Sequence, residues 1–363
     1  MVKQADLEID ETHEFSREDL VSKIKLCESR RIDLDVLDEI YSEVGIYAAH
    51  RWLSLQAEAK VCSDKLAKKL DKKIDILLKN HIFFDNKLVM VYDQLTTDDV
   101  ELFTEGMIEL FGNNTAFDDS SYIANGCYEV SDSIVLYNFK IYREIQERKE
   151  LTAKDLGEKA LEVLDKYNRI VGYSPISVDC FDAVIIDGLN KRLILQLDLG
   201  SIVLANAVDK FFHDFRTALN DAFVKVGVKN CRIPEKTEFV NLYSSIQNYY
   251  DNPEGEVTDA SFSTSKNNHR EYIKEEARDI RKADYHSNGK LAEEKFGGKI
   301  RPYRISKRFE RILNTWPQVY VGVHHRYFAN DKSGFKSLYQ AHIFDIKSRE
   351  DYDFIIEKIL ANR

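Results

Sequence analysis

The sequence predicts an α+β protein in which a mainly helical N-terminal half precedes a half built around an antiparallel or mixed sheet. Three observations support this fold class. All five prolines lie after residue 174, so no residue of the first half forbids helix continuation. Apolar residues recur at helical spacing through most of the first 79 residues. In the second half, β-favourable apolar runs alternate with turn residues.

The helices of the first half have recognisable starts. Ser16, followed by Asp19 three positions later, resembles a capping box and begins the first helix. Apolar periodicity then predicts one helix over 34–56 and another that continues to about residue 79. The rest of this half is expected to form a strand at 87–92, a helix at 97–111, a strand at 133–142 and a helix at 152–167.

Two hairpin-plus-helix units are predicted in the second half. The first has strands at 178–186 and 192–199, a turn between them at 187–190 and a helix at 202–224. The second has strands at 319–328 and 337–346, a turn between them at 330–334 and a helix at 349–360. The two units share little side-chain identity, so their similarity is interpreted as a coincidence of topology. Breaker residues near 172–175 place a domain boundary there, which gives domains 1–172 and 173–363.

Composition narrows the protein class. A hydrophobic fraction of 44% and a charged fraction of 31% are typical of globular proteins, and no apolar run is long enough to span a bilayer. The first 14 residues lack the basic and apolar regions of a signal peptide, so a cytoplasmic protein without a membrane partner is expected. The five cysteines are widely spaced, which predicts neither a disulfide framework nor a zinc site. No cofactor and no metal are predicted.

A basic segment at 266–326 stands out in a chain with a net charge of −10. It holds fifteen lysines and arginines and four of the nine histidines. Such a local excess attracts phosphate groups, so DNA or RNA is the expected partner. Arginines fork onto phosphate oxygens, and a tyrosine or phenylalanine among them can stack on a base. The candidate nucleic-acid-binding residues are Lys299, Arg301, Tyr303, Arg304, Lys307 and Arg308, with His269, Arg270, Arg281 and His286 as a second contact.

Each part of this segment also has a structural interpretation. Residues 297–308 match a solvated edge strand that charge and Pro302 protect from aggregation. If 270–282 is helical, its arginines and lysines fall near Glu271 and its neighbours, which favours a salt-bridged surface helix. A lysine stripe on the helix that ends near residue 79 alternates with aspartates and is interpreted as a solvated face.

A degenerate metal-dependent nuclease is the alternative function. Asp182 and Asp198 are placed to meet across the first predicted hairpin, as the acidic metal ligands of many nucleases do. The lysine expected two positions after the second acid is missing, and Gln196 replaces the first acid of that pair. Turn and strand-end aspartates explain the same residues without chemistry. Whether the chain is an enzyme therefore stays open.

Two further hypotheses complete the set. His324 and His325 are predicted on a strand, where one of them faces His342 and Asp345 as a metal ligand, although a hydrogen bond at a sheet edge is the preferred interpretation. In the last hypothesis, the helical half docks onto a protein partner or onto a second copy of the chain. The lack of housekeeping motifs suits an accessory prokaryotic protein that acts on phage or mobile DNA, as in phage defence.

Overall fold

The computed structural model has the predicted α+β class, with a ten-stranded sheet in which every strand pairing is antiparallel. It describes residues 15–113, 116–117, 120–131, 133–151, 170–203, 206–228, 230–273, 279–311, 315–329 and 336–363. The helix predicted at 152–167 and the turn predicted at 330–334 lie outside the described residues.

Four helices begin the described chain: α1 Arg17–Ser29, α2 Leu34–Val44, α3 Trp52–Val61 and α4 Asp64–Phe83. They enclose a core of their own, which includes Leu20, Leu37, Leu55 and Ile74. Ser16 caps α1 by accepting a hydrogen bond from the Asp19 amide, as predicted. The single helix predicted over 34–56 is wrong, because Gly45 adopts a left-handed conformation with φ 87° and ends α2.

The sheet takes strands from both halves of the chain. The strands are β1 Lys87–Tyr92, β2 Ile123–Ser131, β3 Ile134–Glu150, β4 Val171–Asp187, β5 Arg192–Leu197, β6 Glu256–Ser263, β7 Asn268–Tyr272, β8 Arg301–Arg308, β9 Gln318–Gly322 and β10 Ala341–Phe344. Their order in the sheet is β2-β3-β4-β5-β1-β10-β9-β8-β6-β7. The predicted boundary near residue 172 falls inside β4, and β1 lies between β5 and β10.

Apolar cores cover both faces of the central strands. On β1, Val89 and Val91 belong to one core, whereas Leu88 and Met90 belong to the other, as expected for side chains that alternate along a strand. The described helices after α4 are α5 Thr97–Gly112, α6 Val208–Lys225, α7 Ser245–Asp251, α8 Asp284–Lys295, α9 His325–Ala329 and α10 Arg349–Ala361, with short 3-10 turns at Gly200–Ile202, Lys236–Glu238 and Ile280–Lys282. Helices α7 and α10 pack on the first face, and α5 and α6 pack on the second.

Three predictions about the basic segment need correction. The helix predicted over 270–282 is wrong where it begins, since Asn268–Tyr272 pairs with β6 as strand β7. The edge strand predicted within 297–308 is instead an interior strand, because β8 lies between β6 and β9. The strand predicted over 319–328 ends at Gly322, and His325 begins α9. In the first two cases strand pairing, rather than the local sequence pattern, decides the structure.

Among the described helices, none combines the length and the apolar character that crossing a lipid bilayer requires.

Candidate functional sites

Strand β8 divides the basic segment into two groups. Arg301 begins this strand and Arg308 ends it. At about 3.3 Å per residue, the two ends lie about 23 Å apart. The candidate residues therefore do not form one continuous surface, and each end of β8 has its own surroundings.

At the Arg308 end, the cationic groups are used inside the protein. The Nε of Arg308 donates to Glu256 at 2.8 Å. Lys307 is fully buried, and its Nζ donates to the carbonyl oxygens of Tyr249 and Asn252 at 2.9 and 2.7 Å. Burial lowers the pKa of Lys307 to about 8. Neither side chain is free to contact a phosphate at the surface.

Arg281 also has a structural role. Its guanidinium contacts both carboxylate oxygens of Asp279, with the Nε 2.9 and 3.1 Å away from them. It donates further to the carbonyl oxygens of Tyr250 at 3.0 Å and Gly255 at 2.9 Å. This side chain ties the turn before α8 to the end of α7 and the start of β6. A guanidinium with this many partners has no donor left for a ligand.

His286 and Arg270 are likewise paired. His286 is buried, and its two ring nitrogens lie 2.8 Å from the Tyr250 hydroxyl and 2.8 Å from Glu271. Arg270 forms a fork onto Asp259 of the neighbouring strand, with its Nε at 3.1 Å. Three of the four residues of the second contact predicted from the sequence, Arg270, Arg281 and His286, are thus paired inside the protein. His269, described below, is the exception.

The Arg301 end of β8 is different, because its cations are exposed. Strand register places Arg301 opposite Ser263 and His269 opposite Phe262, so both lie at the same end of the sheet. The imidazole of His269 stacks on Phe262 with centroids 5.6 Å apart. The Arg301 guanidinium lies 5.8 Å from the ring centroid of Phe328.

Two residues that were expected to reach a ligand from this strand do not. Tyr303 is only 8% exposed, and its ring packs between His325 and Phe328. Arg304 is half-buried and donates from its Nε to the Val323 carbonyl at 3.1 Å. Phe309, the phenylalanine that directly follows Arg308 and was also a possible stacking residue, is buried as well.

An exposed aromatic residue lies beside these cations. Phe296 is 79% exposed in the turn between α8 and β8, and the Nζ of Lys266 lies 5.5 Å from its ring centroid. Gly297, which follows it with φ 74°, lets the chain reverse there. Lys299 is exposed two positions before Arg301. We call Lys266, His269, Phe296, Lys299 and Arg301 the Phe296 surface.

A carboxylate lies beside this surface. Glu293 accepts a hydrogen bond from the Ser265 amide, which lowers the pKa of Glu293, and Lys266 and His269 lower it further. Lys266, Lys299 and Arg301 bring three positive charges to this surface, and Glu293 brings one negative charge to its border.

Asp182 and Asp198 do meet, as the alternative hypothesis required. The Asp198 amide donates to Asp182 Oδ1 at 2.9 Å, and both side chains are fully buried. Arg30 forks onto the two Asp198 oxygens at 3.0 Å each, and the Nζ of Lys87 donates to the same carboxylate. Burial alone raises the pKa of Asp198, but Arg30 and Lys87 hold it well below its usual range.

The carboxylate of Asp182 is equally occupied. It accepts from the Tyr122 hydroxyl at 3.1 Å and pairs with Arg143. Lys87 and Arg143 supply positive charge that was not recognised in the sequence, because they lie on other strands far from the predicted hairpin. We call Arg30, Lys87, Arg143, Asp182 and Asp198 the buried ion cluster. Every carboxylate oxygen in it already has a donor, so a metal ion would have to displace one.

The histidine-based metal set is not assembled. His342 lies 3.0 Å from Asn86, and His325 lies 2.7 Å from Asn268 in another part of the sheet. The Asp345 carboxylate accepts from Gln318. The hypothesis that His324 or His325 joins His342 and Asp345 is wrong, because neither histidine lies on the predicted strand.

One group with three possible ligands occurs in the part of the chain that the structure describes, at Asp35, Asp38 and His50. His50 is exposed and is paired with both aspartates, and its hydrogen bond with Asp38 raises its pKa. The pairing of the His50 imidazole with two aspartates accounts for this cluster without a metal ion.

Comparison with known proteins adds no assignment: no protein-family model matches the chain, and its sequence matches no curated protein.

Proposed function

We propose that the protein binds a phosphate-rich polymer, in the first place single-stranded DNA or RNA, at the Phe296 surface. The observation that carries the proposal is the exposure of Phe296 among cations that are in no ion pair with any described residue. These cations are Lys266, Lys299 and Arg301. An exposed ring offers a stacking platform for a base, and neighbouring cations contact the backbone phosphates.

The charge of the whole chain limits this interaction. With a net charge of −10, the rest of the protein repels a polyanion, so binding depends on the few cations at one surface. Three phosphate contacts to a single strand predict a slope of about −2 for log K against log salt. The proposed complex is therefore weak at physiological salt and tightens as salt is lowered.

The biological setting belongs to the same proposal. A protein that binds single strands suits an accessory prokaryotic role on phage or mobile DNA in the cytoplasm. An acidic protein partner, or an acidic face of a second copy, is the competing ligand, because it offers negative charge without bases. Stacking on Phe296 distinguishes the two, since only a nucleic acid supplies a flat ring for every charge.

The test is fluorescence anisotropy with labelled oligothymidylate and oligouridylate at low salt. The double variant Lys299→Glu/Arg301→Glu should bind at least tenfold more weakly and show a flatter salt dependence. The matched control is Lys68→Glu/Lys69→Glu, which makes the same charge change at exposed positions of α4 and should bind like the wild type. Equal losses in the two double variants, or none in the first, would contradict the proposal.

Phe296→Ala tests the stacking contact separately. It should cost about 1–3 kcal/mol of binding free energy to an oligonucleotide, because one base loses its platform. Binding of polyglutamate should not change in this variant. If oligonucleotide and polyglutamate compete equally and Phe296→Ala affects neither, the ligand is an acidic surface rather than a nucleic acid.

A further inference from the structure

A pocket far along the sheet from the Phe296 surface has a different chemistry. It lies between the β2–β3 turn, the β4–β5 turn and α10, has a volume of about 180 Å³, and opens to solvent. Apolar side chains from β4, β5 and α10 form its floor, including Ile185, Ile194 and Ile356, and the rings of Phe84 and Tyr352 add to it. Such a floor favours an apolar or aromatic body.

Two ion pairs lie at the rim of this pocket, and in each pair the two charges cancel. Arg192 pairs with Glu357 of α10. The Nε of Arg349 lies 3.3 Å from a carboxylate oxygen of Asp353, also on α10. Each of the two arginines therefore has an acidic partner. Among the described residues of the lining there is one further carboxylate, that of Asp187, so these residues leave one negative charge over.

Asp187 is held in place by neutral groups. It is 6% exposed and accepts hydrogen bonds from the backbone amide and the side-chain amide of Asn190 at 2.9 and 2.8 Å. Its cross-strand neighbour Arg192 turns to Glu357 instead. No ion pair of Asp187 occurs among the residues that the structure describes. A buried carboxylate without a cation is costly, and a cationic ligand would relieve that cost.

The charge of Asp187 acts across the pocket. Burial raises the pKa of Asp353, and the Asp187 carboxylate raises it further, against the lowering effect of Arg349. An anionic ligand would meet this same repulsion. The only group of three metal ligands found in the described chain lies elsewhere, at Asp35, Asp38 and His50. A cation that carries its own apolar surface fits the lining better than an anion or a bare metal ion.

We propose that this pocket binds a small organic cation, an amine or guanidinium attached to an apolar or aromatic body. The charged group pairs with Asp187, and the body covers the floor formed by Phe84, Tyr352 and the isoleucines. The two rim ion pairs set the polar border of the site. This inference does not depend on nucleic-acid binding, because the pocket shares no residue with the Phe296 surface.

The probes are tyramine and its uncharged counterpart tyrosol, with 3-(4-hydroxyphenyl)propionate as the anion. Calorimetry with the full wild-type chain should show tyramine binding at least tenfold more tightly than tyrosol, and no binding of the anion. This comparison needs no variant, so folding cannot confuse it. Absence of tyramine binding up to about 10 mM, or equal binding of tyramine and tyrosol, would overturn the proposal.

Asp187→Asn tests the residue itself. It should weaken tyramine binding at least tenfold while leaving tyrosol binding unchanged, because the amide keeps the shape and removes the charge. The matched control is Asp179→Asn on the same strand, where the carboxylate pairs with Lys140 outside the pocket. Unchanged tyramine affinity in Asp187→Asn would show that this carboxylate is not the anchor.

Discussion

Arg30 and Asp198, 168 positions apart in the sequence, form a fully buried two-pronged ion pair with both N–O distances at 3.0 Å. Arg30 follows α1, and Asp198 follows β5, so this pair joins the N-terminal helices to the sheet. Lys87 shares the same carboxylate, and the Nε of Arg30 lies 3.1 Å from His81. The helices and the sheet are therefore held together by charge as well as by apolar packing.

Removing one side of this pair should be costly. Arg30→Met leaves the buried Asp198 carboxylate with one cation fewer, and the free energy of unfolding should fall by about 3–5 kcal/mol. Lys25→Met, at an exposed position of α1, should change it by about 0.5 kcal/mol or less. Urea denaturation of both variants measures the difference. Equal stability of the two variants would show that Lys87 alone satisfies Asp198.

Two glycines of α5 should respond in opposite directions to alanine. A Cβ at Gly106 would lie 2.9 Å from the Cys231 sulfur and 3.2 Å from Phe223, whereas a Cβ at Gly112 meets nothing within 4 Å. Gly106→Ala should destabilise the protein by about 1–3 kcal/mol through overpacking. Gly112→Ala should be neutral or stabilise it by up to about 1 kcal/mol, since alanine favours helix. Thermal melts of the two variants check the sign.

Stability should fall on acidification because of His342. Burial lowers its pKa from 6.5 to about 4, so between these pH values the unfolded chain binds a proton that the folded chain does not. The contribution of His342 to the free energy of unfolding is therefore fully present above about pH 6.5. It is lost as the pH falls toward 4, by at most about 1.4 kcal/mol per pH unit.

His342→Gln should remove this part of the pH dependence. Glutamine can still donate to Asn86 but does not titrate. Asp85, whose pKa is raised to about 6 by burial, contributes with the opposite sign between about pH 4 and 6, so the informative quantity is the difference between variant and wild type. Urea denaturation at pH 7, 6 and 5 measures it. His213→Gln, at an exposed position of α6, should keep the wild-type slope, and the hypothesis fails if His342→Gln does too.

The local elements were largely predictable from the sequence. The strand Lys87–Tyr92 and the helix that begins at Thr97 occur as expected, because their apolar spacing and capping residues act within a few positions. The break at Gly45 was missed, since the apolar period continues on both sides of it. The α+β class follows from such local signals, but the strand order does not.

The candidate site was less predictable for a physical reason. A count of basic residues along the chain says nothing about which carboxylate each of them meets. Arg270 faces Asp259, and Arg308 faces Glu256, only because β6 pairs with both β7 and β8. Phe296 was overlooked because its exposure depends on the turn that ends α8. Lys299, Arg301 and His269 stay in the proposed interface because they lie at the opposite end of β8 from Arg308.

The central place of β1 has a consequence for how the chain folds. One of its two neighbours, β10, follows it by about 250 residues, with Lys87 opposite Ile343. During translation this edge of β1 therefore keeps open backbone groups until β10 has been synthesised. Closure of so distant a contact slows folding, and the waiting edge is where a nascent chain is most prone to associate with another.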